Sequence, residues 1–258
     1  MNNIHPSAIV SSKAKIGNNI TVAPFAIIND DVEIGDDCHI GSHAVLYDGA
    51  RLGNRVKIFQ SASVANVPQD LKFNYEKSIF VIGDDTMVRE FAALHRGTKD
   101  TGISSIGKNC LIMAYSHVAH DCLVGDNCIL ANGVQLAGHV TLEDYVIIGG
   151  MTPVHQFCRV GQHSMIGGGF RITQDVPPYI LAANEPLQYS GINVIGLRRR
   201  GFATDDIMTL KKAYAYIYNK SLNVSQAKEK IRDEMSGNRF VQNVLEFLDK
   251  STRGIVGK

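Results

Sequence analysis

The 258-residue sequence predicts a mainly β fold: a parallel β-helix wound as a triangular prism and followed by a small α-helical domain. Three observations predict it: an aliphatic residue at every sixth position, glycine at a constant phase of that repeat, and a late switch to helical spacing. Stepping by six from Val10 to Ile172 meets Ile, Leu or Val at 25 of 28 positions, the exceptions being Asp70, Glu76 and Asp100. These types make up about a fifth to a quarter of an average chain, so chance does not produce the run. Each hexad reads as a short strand and a corner. Three hexads close one 18-residue coil, and coils stack about 4.8 Å apart with the aliphatic residues inside. The residue after the aliphatic one is often glycine (Gly17, Gly35, Gly53, Gly107, Gly125), read as the φ > 0 or tight backbone of a corner. A helix cannot give a period of six, nor a flat sheet a fixed glycine phase.

Two residues before the aliphatic position, small side chains dominate, among them Ala14, Ala26, Ala44 and Ala62. All five cysteines (Cys38, Cys110, Cys122, Cys128, Cys158) share this phase. An odd count with Cys122 near Cys128 leaves metal or redox chemistry open. The shared phase instead reads as small buried hydrophobes replacing Ala. Loops replace hexads near 66–78 and 96–105 while the phase survives. Loops on a rigid scaffold are where binding residues sit, although both could simply cover an edge. After Ile172 the register ends. From about Thr204 the residues Ile207, Leu210, Tyr214, Ile217 and Tyr218 follow i, i+3, i+4 spacing. Asn223 can cap a second helix, and Phe240, Val244, Phe247 and Leu248 line a third. The expected domains are residues 1–190, the β-helix, and 191–258, helices that cap the open prism end.

Lys plus Arg (26) nearly balance Asp plus Glu (25), so nothing asks for nucleic acid or an anionic surface. The N-terminus has no basic and apolar leader, and no apolar run nears the roughly 18 residues of a membrane span. The expectation is a cytoplasmic protein with no transmembrane segment.

From Ile106 to Ile172 the repeat has no insertion, so residues 18 apart share a column. His120, Gly138 and Gln156 form one column, and Asp121, His139 and Phe157 form its neighbour. His117 and His155 lie close by. None occupies the core phase, so these polar groups are expected to face solvent without buried partners. Three readings fit them: inert surface, a zinc site, which would ask for about three imidazoles in tetrahedral array, or acid–base catalysis. Histidine, with pKa about 6.5, suits a base that activates a hydroxyl. A glycine in the same column offers an N–H to an oxyanion.

The sequence resembles the hexapeptide-repeat acyltransferases, and within them the UDP-N-acetylglucosamine O-acyltransferase family that begins lipid A synthesis. The resemblance is carried by QDLK at 69–72, RE at 89–90, HRGT at 95–98, HVAHDC at 117–122, AGH at 137–139, GGMTPVHQF at 149–157, QDVPPY at 174–179, GLRRRGF at 196–202 and STRG at 251–254. It implies a left-handed parallel β-helix, whereas parallel crossovers are otherwise right-handed in about 98% of cases. It implies transfer of a 3-hydroxyacyl chain from an acyl-carrier-protein thioester to the 3-hydroxyl of UDP-N-acetylglucosamine, with no cofactor and no metal. His120 would be the general base, oriented by Asp121, with the Gly138 N–H on the oxyanion. Asp70 and Lys72 would reach the substrate from a neighbouring subunit, and His95, His117, His139 and His155 would line the cleft. Gln156 and Arg200 would meet the phosphates and Asn193 the nucleoside, with Arg199 also on the substrate. Gly168 would set the far end of the acyl groove, favouring a long chain, with Phe170 able to lie across it.

A homotrimer follows in this reading from flat prism faces packing about a threefold axis. The acidic carrier would dock on Arg198, Arg199, Arg200, Lys211 and Lys212, a stretch that also reads as a solvated helix entry. Two positions depart from the family pattern: Ile195 stands where an acidic residue is expected, and Tyr75 where glycine is usual. The rival readings are a related N-acyltransferase, which needs an extra N-terminal domain, an acetyltransferase, and a non-catalytic scaffold. His163, at a different phase, is expected to tolerate alanine with little loss of rate.

Overall fold

The computed structural model describes residues 1–257. Strands of mostly two residues form three parallel sheets, the faces of a left-handed parallel β-helix. The first face has eleven strands and includes Leu111–Ile112, Ile129–Leu130 and Ile147–Ile148. The second has eight, including His117–Val118, Gln135–Leu136 and Pro153–Val154, and the third has eight, including Leu123–Val124, Thr141–Leu142 and Arg159–Val160. Up to the last coil, register is 18 residues wherever no loop intervenes: His117 pairs with Gln135 and Gln135 with Pro153. The hexad aliphatics Ile40, Leu46, Ile58, Ile112, Val118, Leu130 and Ile148 are fully buried in one continuous core. Each contributes about 1.5–3 kcal/mol by leaving water. All five cysteines are free and buried in it, as their phase predicts.

The corners correct one expectation. The positive φ values fall three residues after the aliphatic position and mostly on side-chain-bearing residues, such as Asp37 (58°), Asp121 (59°) and His139 (61°). Each left-handed residue costs roughly 1–2 kcal/mol. The regular bonds of the stack offset this, as where the His139 N–H donates to the His120 carbonyl at 3.1 Å. The glycine after the aliphatic residue serves close approach instead. A Cβ on Gly35 would lie 2.6 Å from Asn54 Oδ1, and one on Gly17 2.5 Å from Asp36 Oδ1. Those side chains reach back one coil to accept N–H groups: Asn18 donates to Asp36 Oδ1 (2.7 Å), Asp36 to Asn54 Oδ1 (2.8 Å), and Asp126 to Asp144 Oδ1 (2.8 Å). An Asx ladder thus runs along the corner between the third and first faces.

The stack also runs further than the six-residue count. Val154 bridges to Ile172, Val160 to Val176, and Met165–Ile166 pairs with Ile180–Ala183. The step from Ile172 to Val176 is two residues short, which hides the last coil from a strict period. Strand Gln188–Ile192 then turns back antiparallel.

Among the described residues four helices follow: α1 (Val194–Arg199), α2 (Thr204–Ile217), α3 (Val224–Met235) and α4 (Arg239–Lys250). The short α1 had no periodic signal. Asn223 caps α3 in a capping box with Gln226, and Asn238 caps α4. Ile207, Leu210, Tyr214, Val244 and Leu248 join the core of the prism, so the helices continue that core. Tyr214 donates to the Pro178 carbonyl at 2.6 Å. The tail comes back to the β-helix, where buried Asp175 accepts from Arg159 N (2.8 Å) and Ser251 Oγ (2.7 Å), and the Asp175 N–H donates to the Gly254 carbonyl. The QDVPPY and STRG runs are therefore one structural latch.

Candidate active site

One corner of the prism, between the second and third faces, carries both inserted loops and the histidine column. The first loop leaves after strand Ser63–Asn66 on the second face and returns at Ile79–Ile82 on the third. The second loop leaves after Ala93–His95 and returns at Ile103–Ile106. His120 and Asp121 turn the same corner one coil on, and Gly138 with His139, then Gln156 with Phe157, follow. The loops lock to each other: Lys99 N–H donates to Glu76 Oε1 at 2.9 Å, and the Arg96 guanidinium lies 5.5 Å over the Phe73 ring.

His120 Nδ1 sits 2.8 Å from Asp121 Oδ2. An ionised carboxylate only accepts, so the proton is on Nδ1 and Nε2 keeps its lone pair. Asp121 is the main correction to the sequence reading. Its side chain is 0% exposed, roofed by the second loop. Oδ1 accepts from Thr98 N–H (3.0 Å) and from the Thr101 hydroxyl; Oδ2 accepts from Thr98 Oγ1 (2.7 Å) and from His120. Burial pushes this carboxyl up, but the donors from Thr101, His120 and Thr98 outweigh it and hold the pKa below the ordinary value. Thr98 stood inside the HRGT run with no role assigned, and Thr101 was missed. The available signal was that the loop interrupts the same corner as His120.

Gly138 is required by space. A Cβ there would lie 2.6 Å from His120 Cε1 and 2.8 Å from Nε2. Its N–H, at the same corner as the imidazole, donates to no protein acceptor among the described residues. His139 stands edge-on to His120, with ring centroids 5.2 Å apart, and stacks on Phe157 at 4.6 Å. His139 Nε2 is 3.7 Å from Asp121 Oδ2 and 3.9 Å from Asp100 Oδ2. His120, Asp121 and His139 are close enough to hold a cation by geometry. The four donors on Asp121 occupy the roughly four lone-pair sites a carboxylate offers, which suits acid–base work better than metal ligation.

His117 and His95 pack 4.9 Å apart on the second face. Burial, then the neighbouring His95 and His120, push His117 down to about 4. Burial also lowers His95, whose Nδ1 donates to the Val67 carbonyl at 2.7 Å and whose Nε2 has no protein partner. His155 and Gln156 are exposed at the rim. On the first loop Asp70 accepts from the Lys72 N–H at 3.0 Å within its own turn, and Lys72 is exposed. Tyr75 takes φ +58°, a conformation glycine enters freely.

The remaining candidates lie elsewhere. Asn193 and Arg200 sit at the corner between the third and first faces, across the whole third face from His120. Asn193 is buried, and its amide is occupied by α1 capping (Gly196 N–H, 3.1 Å) and the His163 carbonyl (3.0 Å). Arg200 lies 5.2 Å over the Tyr145 ring in a cleft of about 640 Å³, with Nη1 unpartnered, and Arg199 is exposed on α1. His163 also lines that cleft. It is only 8% exposed and stacked between Tyr145 (4.6 Å) and Tyr179 (5.7 Å), so alanine there would open a cavity and cost stability. Lys212 is tied to Glu234 at 2.7 Å, which removes one candidate from the basic docking patch. Gly168 sits at the third corner, between the first and second faces, where a Cβ would press on Gly150 O at 3.1 Å. Phe170, half-buried, packs against the core beside Gly167.

Comparison with known proteins bears on the family and the fold. Residues 175–256 match the family model described as UDP-N-acetylglucosamine O-acyltransferase, domain 2. Residues 13–48 and 104–138 match the bacterial transferase hexapeptide model of six repeats. An acyl-(acyl-carrier-protein)–UDP-N-acetylglucosamine O-acyltransferase of Aliarcobacter butzleri is 47% identical over 99% of this chain and 98% of its own. Its counterpart in Burkholderia orbicola is 49% identical over 99% and 100%. Among solved structures, the UDP-N-acetylglucosamine acyltransferase of Bacteroides fragilis superposes with TM-score 0.96 at 43% identity, covering 98% of this chain and 99% of that one. That of Francisella novicida gives 0.96 at 37% identity, covering 99% and 94%.

Proposed function

The chain belongs to the UDP-N-acetylglucosamine O-acyltransferase family, and from that premise we propose that His120 is the base with which it transfers a 3-hydroxyacyl chain from acyl carrier protein to the 3-hydroxyl of UDP-N-acetylglucosamine, the first step of lipid A synthesis. The observation that carries the assignment is the His120–Asp121 pair, with Nδ1 committed to a buried carboxylate and Nε2 free beside Gly138. Nε2 takes the proton of the sugar hydroxyl as its oxygen attacks the thioester carbonyl. The Gly138 N–H donates to the oxyanion that forms. Collapse breaks the C–S bond, and the departing carrier thiolate takes the proton back from Nε2. These residues supply every proton movement, so the reading calls for no cofactor.

The working unit in this reading is a homotrimer. His120 and Arg200 occupy two corners of one prism, so a sugar nucleotide that meets both needs the His120 corner of one copy against the Arg200 corner of the next. Exposed Leu71, Tyr75 and Lys72 at the first-loop tip are placed to reach that neighbour, with Asp70 at its base. Arg198, Arg199 and Lys211 remain for the acidic carrier. Among the described residues no helix is long and apolar enough to cross a membrane. Five unpaired thiols suit the reducing cytoplasm, where we place the protein.

The acyl chain runs from His120 along the second face toward Gly168, three coils on, an axial distance of about 14 Å. That length suits a donor of roughly fourteen carbons, each buried CH₂ contributing about 0.8 kcal/mol. The test is incubation with UDP-N-acetylglucosamine and a series of 3-hydroxyacyl carrier thioesters, read by mass spectrometry. The expected product carries one O-linked chain, longest donors preferred, and Gly168→Met shifts the preference to shorter ones. No transfer from any donor rejects the activity, and an unchanged ranking in Gly168→Met rejects Gly168 as the limit of the groove.

A further inference from the structure

We propose that Thr98 and Thr101, on the second inserted loop, are positioning residues for His120, acting through Asp121. This rests on the reading of His120 as the base and adds what keeps that base in one tautomer and one orientation.

Asp121 turns a corner in the left-handed region, a position that His139 and Phe157 take in the next two coils. Without the insertion its carboxylate would face water, free to rotate and to exchange partners. The second loop closes over it. Thr98 delivers two donors, its N–H at 3.0 Å to Oδ1 and its hydroxyl at 2.7 Å to Oδ2, and the Thr101 hydroxyl bonds Oδ1. Only the lone pair of Oδ2 facing His120 Nδ1 is left. A fully occupied carboxylate has no place for the Nδ1 proton, so Asp121 orients the imidazole without taking a proton from it.

The threonines are themselves held by the loop. Thr98 Oγ1 accepts the Asp100 N–H at 3.3 Å, which turns its own proton toward Asp121. The Gly102 N–H closes the turn on the Thr98 carbonyl at 2.7 Å, with Gly102 at φ +73°. Gly97 is glycine because a Cβ would strike the backbone of the returning strand, 2.7 Å from the Gly102 carbonyl carbon. The hydroxyls also share the negative charge of Asp121. Without them that charge falls more heavily on His120 Nδ1–H, which favours the imidazolium.

The test is the pH dependence of steady-state kinetics for Thr98→Val, Thr101→Val, the double variant, Thr98→Ser and His120→Ala, with UDP-N-acetylglucosamine and a 3-hydroxyacyl carrier thioester. The double variant is expected to lose about tenfold or more in kcat, within the range of a misdirected general base, with KM for the sugar nucleotide little changed. The acid limb of its kcat/KM profile moves to higher pH. Each single variant moves the same way by less, and Thr98→Ser restores both rate and profile. Proton NMR of the free enzyme should show the His120 Nδ1–H resonance displaced or broadened in the double variant. Folded single or double variants with wild-type kcat, pH profile and imidazole resonance overturn the proposal, and the single variants decide it if the double does not fold. Wild-type turnover in His120→Ala overturns the reading of the base instead, whatever the threonine variants do.

Discussion

Gly138 and His120 form one unit, because the space a Cβ would take on Gly138 is filled by the imidazole. His120→Ala is expected to lower kcat by about 10²-fold or more, the scale of a lost general base. Gly138→Ala should lose activity on a similar scale by displacing the ring. His39→Ala, exposed on the first face, should leave kcat unchanged in the same assay. Two other histidines contribute to acid stability. Burial is the main cause that holds His117 and His163 down to about 4, against an ordinary 6.5. Between those values the unfolded chain binds protons that the folded chain refuses. Their contribution is therefore complete above about pH 6.5 and is lost as pH falls toward 4. Thermal unfolding across that window should show a falling midpoint, and His163→Phe, which keeps the stack without the charge, should make the fall shallower. An unaltered slope in His163→Phe would show that His163 titrates normally.

The elements are too short to be stable alone. Two-residue strands gain their stability from the coils above and below, so single-atom intrusions between coils matter. Gly35→Ala forces a methyl into the place of Asn54 Oδ1 and breaks its bond from the Asp36 N–H. We expect a loss of about 1–3 kcal/mol, the usual range for overpacking. Gly237→Ala, between α3 and α4 with open space around it, should change stability by no more than about 0.5 kcal/mol. Denaturant unfolding of the pair separates close approach from a general intolerance of alanine, and equal effects would remove the ladder argument.

At the scale of the whole molecule, the separation of His120 from Arg200 by an entire face makes a complementation experiment decisive. His120→Ala and Arg200→Ala homotrimers should both be nearly inactive. Mixed trimers from co-expression carry some interfaces with an intact His120 corner and an intact Arg200 corner, and these should recover a fraction of wild-type turnover. If the two residues serve the same copy, every site in the mixture carries one lesion and activity stays at background. Sedimentation of the wild type should give a trimer, and a fully active monomer would reject the shared site.

The sequence by itself determined the prism, because stacking puts an identical steric demand on every sixth residue and so writes the fold as a period. It also determined the column of His120, Gly138 and Gln156, since an unbroken register turns sequence separation into spatial alignment. Handedness came only from family resemblance, as the aliphatic repeat is the same for either hand. Tertiary structure decided what the period cannot encode. The two-residue deletion after Ile172 hid the last coil. The loops, which obey no period, decided that Asp121 is buried and that Thr98 and Thr101 hold it. The return of the tail decided that Asp175 is a latch with Ser251. Burial across elements made His163 part of an aromatic stack. Periodic contacts are local and repeat along the chain, whereas these contacts are made once, between segments brought together only when the coils close.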